Sequence, residues 1–270
     1  MLNKNKIKYI FIVLQLIAGS VPALGQLKNF NNLSHFDDRK LHFGFYLGIN
    51  TMDYRISNYN TVYENPVVMN QIEQNNPEFS ATRLSEIYQG KSTIVAEVYQ
   101  IMPGFTVGGV INYRLTRDLD FRFTPGMSLG NRHFTYFTKI DPKLYAGLEE
   151  DAYLSTPSAY VDLPLGIRYK GFRHNNLRPY IYLGAAYRHD LESKSKSENV
   201  VHLQRTGEYA EVALGLDSYL EYFRFTAEVR FSYGLNNLIR HDWNSENIPY
   251  YGYNFKALKS NIFTLIFYFE

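Results

Sequence analysis

Arg114, Arg122, Arg168, Arg188, Arg224 and Arg230 all fall on one phase of a two-residue alternation, and Asp120, Asp162, Glu211, Asp217 and Glu228 share that phase. Guanidinium and carboxylate groups in nearly matched numbers on one face can do two kinds of work. They can pair with one another and fill a polar interior, because a buried ion must be paired and hydrogen-bonded or it is strongly destabilising. They can instead pass protons or ions along a pore. The balance of signs favours the first. Arg122, Asp162, Arg168, Arg188, Glu211, Asp217, Arg224, Glu228 and Arg230 are therefore expected to form a structural network, with no catalytic role.

Other reactive residue types do not assemble into a site. His133 follows Ser128 on the same segment, and His189-Asp190 and His241-Asp242 are adjacent pairs. A nucleophile, a base and an orienting acid must converge. No spacing forces these groups together, and no nucleophile-elbow pattern exists, so they read as solvated histidines. Without cysteine there is no disulfide, thiolate metal site or lipid-bearing cysteine. Neither a Gly-rich phosphate loop nor a nucleic-acid motif occurs. No cofactor, metal or nucleic-acid partner is expected. Asp37-Asp38 and Glu149-Glu150-Asp151 read as solvated acidic turns, and Lys170, Arg173, His174 and Arg178 as an ordinary basic turn.

The charged face needs elements to carry it, and eight alternating segments do so. They are Leu41–Asn50, Gly104–Arg114, Leu119–Gly130, Ser158–Lys170, Arg178–Arg188, Glu208–Ser218, Phe223–Asn236 and Asn261–Glu270. In each, one face is apolar and free of charge. Phe43, Phe45, Leu47 and Ile49 make that face in the first segment, and Phe263, Leu265, Phe267 and Phe269 in the last. The opposite face carries Arg, Asp, Glu, Gly and Tyr, which is poor material for a hydrophobic core. Apolar-out, polar-in alternation is the pattern of a barrel standing in a bilayer. Each segment is long enough for a tilted strand to cross. An even number of strands lets an antiparallel barrel close without an edge.

The predicted fold is all-β: an eight-stranded antiparallel transmembrane barrel of the outer-membrane type, residues 41–270, with long external loops and strand extensions. Connections alternate in length. Thr51–Pro103, Asn131–Pro157, His189–Gly207 and Asn237–Ser260 are long; Leu115–Asp118, Gly171–Leu177 and Tyr219–Tyr222 are short. Short periplasmic turns and longer external loops give this rhythm and put both termini in the periplasm. Ser92–Met102 and His133–Thr138 look like outward continuations of strands, with a bulge at Pro103-Gly104. Thr82–Tyr88 suits a short helix. Inward Pro164 cannot donate to a ladder and is expected to mark a bulge. Inward glycines, Gly108, Gly126, Gly166, Gly184 and Gly215 among them, are expected to make room for long charged side chains.

The first 25 residues read as a signal peptide, with Lys4, Lys6 and Lys8 before the apolar stretch Tyr9–Ala18 and small residues Ala23 and Gly25 at its end. Residues 26–40 then form a short periplasmic tail, available to pair with a partner. Aromatic residues make up 16% of the chain, nearly all Tyr and Phe, types that suit strands and, for Tyr, the membrane interface. A net charge of +2 points to no acidic or basic partner.

The segments GFTVGGVINYRLTRDLDFRFTPGMSLGNRHFTY (Gly104–Tyr136), SAYVDLPLGIRY (Ser158–Tyr169), RPYIYLGAAYR (Arg178–Arg188) and FDDRKLHFGFYLGIN (Phe36–Asn50) resemble the PorT family. The resemblance covers most of the chain after the signal peptide. It implies a small outer-membrane barrel of the type IX secretion system, with no catalytic motif. A filled lumen would make such a protein a structural or assembly factor rather than the conduit. Its partners would be outer-membrane lipids and proteins of the secretion machine. The alternatives are a general OmpX-like barrel acting in adhesion or envelope integrity and, with least support, a lipid-modifying enzyme.

Overall fold

The computed structural model describes residues 32–87, 96–97, 102–136, 153–191, 203–239 and 253–270. The expected signal peptide (1–25), Glu149-Glu150-Asp151 and His241-Asp242 lie outside them. The strands are β1 (Leu41–Asn58), β2 (Ala96–Glu97), β3 (Pro103–Arg114), β4 (Leu119–Phe123), β5 (Gly126–Tyr136), β6 (Tyr153–Lys170), β7 (Leu177–Asp190), β8 (Thr206–Tyr219), β9 (Arg224–Gly234) and β10 (Phe255–Phe269). β4 and β5 act as one strand, interrupted only at Thr124-Pro125. β3 pairs with both in a single register, Ile111 opposite Phe123 and Phe105 opposite Leu129. β6 does the same on the other side. The ring runs β1, β10, β9, β8, β7, β6, β4/β5, β3 and returns to β1 through the Leu41–Tyr113 to Thr51–Pro103 ladder. It is an eight-stranded, all-antiparallel closed barrel.

The expected faces are observed. Phe43, Phe45, Ile49, Leu165, Leu183, Leu214 and Phe263 project outward and are exposed. Arg122, Arg168, Arg224, Glu228 and Asp217 point inward and are buried. Turns at residues 115–118, 171–176 and 220–223 mark one end; the opposite end carries the long connections.

At the long-loop end the chemistry of the two faces exchanges while the alternation continues. Along β1, outward Ile49 gives way to Asp53 and Arg55, and inward positions become Met52 and Tyr54, both buried. β10 mirrors this, with Lys256, Lys259 and Asn261 outward and Leu258 and Ile262 buried. The barrel thus continues past the apolar band as a water-soluble extension with its own apolar core. On that extension sits a small lobe built from α1 (Pro66–Glu73), α2 (Ala81–Ile87) and 3-10 turns. Asn65 caps α1 by accepting from the Val67 N–H and donates Nδ2–H to the Tyr253 carbonyl. Pro66 opens the helix where its missing N–H costs nothing. Val62, Val68, Phe79, Leu84 and Tyr253 bury the lobe's apolar side. Thr82–Tyr88 was expected to be helical, and α2 covers most of it.

Ser92–Met102 contributes only Ala96-Glu97 to the described sheet, paired with Tyr136 and Thr135. Seven residues separate Glu97 from Phe105, while five separate their partners Thr135 and Leu129. Pro103-Gly104, where a bulge is expected, stays in unbroken register with β1 opposite Thr51 and Asn50, and residues 98–101 lie outside the described ones.

Pro164 does not mark a bulge. Its register with β7 is unbroken from Tyr160–Asp190 to Lys170–Tyr180. Thr124 N–H donates to the Pro164 carbonyl. The reciprocal bond is impossible, and the Thr124 carbonyl instead accepts the Tyr46 hydroxyl at 3.3 Å. A cross-lumen tyrosine replaces the missing ladder bond, so the strand need not deform.

Gly108, Gly126, Gly166, Gly184 and Gly215 make room for tyrosine rings rather than for charged chains, whereas inward Gly44 does lie against the Glu270 side chain. Gly108 lies opposite Tyr46, and a Cβ there would sit 2.7 Å from Tyr46 Cε1. A Cβ on Gly166 would sit 2.8 Å from Tyr182 Cε2, and Gly215 lies under the Tyr180 ring opposite it. Aromatic rings laid over glycines of the neighbouring strand pin the register. Gly108→Val is expected to destabilise the barrel by about 1–3 kcal/mol through overpacking, seen as earlier loss of the compact band in a heat-modifiability gel. Gly109→Ala, whose Cβ would find its nearest atom 3.8 Å away, should match wild type. Equal losses in both would reject the ring-packing account.

Candidate functional site in the barrel lumen

Two-residue periodicity makes each inward position of a strand reach the same central space, so side chains distant in sequence meet there. Near the short-turn end, Arg168 bridges Asp120 at 2.7 Å and Asp217 at 3.1 Å, and Lys170 holds the other Asp120 oxygen at 2.7 Å. Thr226 donates to Asp217. Arg224 lies 3.7 Å from Asp217 and 2.6 Å from Glu270.

The next layer centres on Glu228. It accepts from Arg122 at 2.9 Å, from Arg230 at 2.7 Å, and from the hydroxyls of Tyr180 at 2.5 Å and Tyr268 at 3.1 Å. Arg122 also donates to Asn112 and reaches Glu270 at 3.5 Å, and Asn112 donates to Glu270. Its guanidinium stacks over the rings of Tyr268 and Tyr180, 4.5 and 5.1 Å from their centroids. Guanidinium groups suit this burial, being weakly hydrated, planar and rich in donors.

Toward the loop end, Arg230 passes to Glu211 at 3.1 Å, Glu211 to Arg188 at 2.7 Å, and Arg188 to Asp162 at 3.1 Å. Ser128 donates to Asp162 and shares a 2.8 Å hydrogen bond with Thr106. Beyond them the lumen closes with Met52, Tyr160, Ala186, Tyr209 and Ile262.

The structure brings all nine candidate residues into one connected chain of alternating charge. Arg168, Asp217 and Arg224 form its lower part, Arg122, Glu228 and Arg230 its middle, and Glu211, Arg188 and Asp162 its top. The candidate set omitted Lys170, Asn112 and Glu270, although all three lie on the inward phase. It also omitted the lumen tyrosines, whose part depends on cross-strand register.

Asp37 is a correction of another kind. It is not a solvated turn residue. The tail folds back across the short-turn end, with a 3-10 turn at Phe36–Asp38. The Asp37 carboxylate sits 3.2 Å from Arg178 and 3.8 Å from Arg224 and accepts the Tyr219 hydroxyl. The Asp37 carbonyl accepts from Arg114. Arg178, expected in an ordinary basic turn, is buried against Asp37 and Asp118. The tail thus closes the mouth of its own barrel.

Among the histidines, His35 bonds Asp38 and His42 stacks on Phe36 at 4.3 Å. His189 lies on β7 within its ladder to β8. No cluster of three or more His, Asp or Glu suited to a metal occurs among the described residues.

A closed ring with an apolar exterior and a charge-filled interior defines an outer-membrane β-barrel. The chain belongs to the outer membrane protein beta-barrel domain family, whose model matches residues 25–240. Several solved structures are similar. Neisserial surface protein A (NspA) is 12% identical, the match covering 83% of this chain and 96% of that one, with a TM-score of 0.37. OprG from Pseudomonas aeruginosa is 15% identical over 84% and 92%, with a TM-score of 0.39. Ail, the attachment invasion locus protein of Yersinia pestis, is 11% identical over 84% and 96%, with a TM-score of 0.32. No curated protein matches the sequence.

Proposed function

We propose that the protein is a non-enzymatic component of a type IX-like secretion machine, acting as a structural or assembly factor and not as the conduit. In this reading both termini face the periplasm, and its partners are outer-membrane lipids and proteins of the machine. The secretion role rests on the resemblance of Gly104–Tyr136 and its companion segments to the PorT family. One observation carries the exclusion of a conduit: the ion-pair chain from Arg224 through Glu228 to Asp162 crosses the lumen and leaves no passage for a polypeptide.

Two measurements test the reading. Deletion of the gene is expected to stop export of the large cargo proteins, and export that continues unchanged would reject the secretion role. The purified barrel in planar bilayers is expected to show no stable pore conductance. A steady pore of porin size would reject the filled-lumen part independently. A second reading, an OmpX-like barrel in adhesion or envelope integrity, is favoured by the folded lobe on the β1/β10 extension, whose buried Val68 and Phe79 make it an ordered surface.

A further inference from the structure

The tail that closes the mouth is held by polar contacts and by the ring of Phe36. No residue of its 3-10 turn is fully buried, and the half-buried Phe36 ring is its main apolar contact. Asp37 enters a ring of cations. Arg178 and Arg224 flank its carboxylate, the Tyr219 hydroxyl donates to both its oxygens, and Arg114 donates to its carbonyl. Arg224 also stacks on the Phe36 ring, 4.7 Å from its centroid, and that ring lies against His42. Asn32 is held by Asn176, Tyr219 and Arg173.

These contacts recognise backbone, a side-chain amide, an aromatic ring and a carboxylate in a short segment folded into turns. That is how a protein reads a short acidic peptide. Clefts of about 640 Å³ and 420 Å³ open on either side of the tail. The smaller is lined by Arg114, Arg117, Arg173 and Arg178 and by Asp37, Asp38 and Asp118, a balance of four cations to three carboxylates of which two belong to the tail, with Phe172, 97% exposed, at its edge. Of these arginines, Arg117 makes no contact with the tail described above and would be the further cation for a longer acidic segment.

We propose that the mouth of the barrel is a binding site for an acidic peptide segment of a partner protein, one that presents an aromatic residue directly before an aspartate. The chain's own Phe36-Asp37 occupies this site until such a segment displaces it. The aromatic side chain takes the place of Phe36 between Arg224 and His42. The carboxylate takes the place of Asp37 between Arg178 and Tyr219. An additional acidic residue meets Arg117. The site follows from the mouth's own geometry and stands whether or not the barrel serves secretion.

The probe is a fluorescent peptide of residues 32–40, titrated into the full-length barrel in detergent. Against wild type it competes with the resident tail. Against Asp37→Ala the mouth is unoccupied by carboxylate, and the affinity is expected to rise about tenfold or more, a difference of about 1.4 kcal/mol. The peptide carrying the same Asp37→Ala change is expected to bind neither barrel. Adding Arg178→Gln to the Asp37→Ala barrel is expected to remove the gain. An affinity that does not rise in Asp37→Ala, including no binding to any barrel, overturns the proposal. So does equal binding of the two peptides.

A measurement on the unaltered protein guards against a folding defect in the variants. Saturating peptide is expected to speed tryptic cleavage after Arg39 in wild-type barrel, because the displaced tail leaves the mouth. Cleavage that stays constant with added peptide overturns displacement.

Discussion

Glu228→Ala should be the most damaging single substitution in the lumen. Its carboxylate is buried among Arg122, Arg230, Tyr180 and Tyr268. Removing it takes the shared carboxylate from two buried guanidinium groups and leaves, among carboxylates, Arg122 only the longer contact to Glu270 at 3.5 Å and Arg230 only Glu211 at 3.1 Å. Breaking a buried pair in this way costs about 3–5 kcal/mol, a large share of the roughly 5–15 kcal/mol that holds a folded domain together. The midpoint of urea unfolding, read by gel mobility, should fall accordingly. Glu228→Gln keeps the shape and some hydrogen bonds and should lie between Ala and wild type. The double change Arg122→Leu with Glu228→Leu restores the balance of charge and should recover part of the loss. A Glu228→Ala barrel as stable as wild type would show that the ion-pair chain contributes nothing to the fold.

Leu183→Arg should be comparably damaging for the opposite reason. Leu183 projects outward from the middle of β7, between Ile181 and Ala185, and is 62% exposed. An arginine facing lipid near the bilayer midplane of a barrel costs about 2–4 kcal/mol, falling to about 0–1 near the interface. Ala257→Arg gives the matched control, because Ala257 pairs with Ser57 on the extension beyond the apolar band. Folding into lipid vesicles should be strongly reduced by the first change and nearly unaffected by the second. Equal yields would mean that hydrocarbon does not cover the Leu183 face.

The contrast between these two sites also explains what could be read from the sequence. Hydrocarbon outside and ions inside impose opposite chemistry on alternate residues, so the faces of all eight segments were visible, as were the nine lumen ions. The readable region ended where the lipid ends. Beyond Asn50 the outward positions of β1 become Asp53 and Arg55 and the inward ones Met52 and Tyr54. The alternation persists with its polarity exchanged, and a search for one greasy face stops there. α1 carried a local signal, Asn65-Pro66 at its start, that the surrounding irregular chain obscured. The pairing of Gly108 with Tyr46 depends on which residue lies across the strand boundary, and no single strand contains that information. Pro164 was misjudged for the same reason. Its missing donor is compensated by Tyr46, far away in sequence. Asp37 lies in a segment without periodicity, so nothing local distinguishes a latch from a solvated acid.

The ring closes between the first strand and the last, Phe45 against Phe269 through Asn58 against Phe255. Among the described strands β10 comes last in sequence, so this edge of β1 can be paired only after the intervening strands have been made. Until then β1 offers an unpaired edge, the kind that recruits other chains and aggregates. Closure of the ring is therefore the step at which that edge disappears, because β10 covers β1 from Phe45 to Asn58.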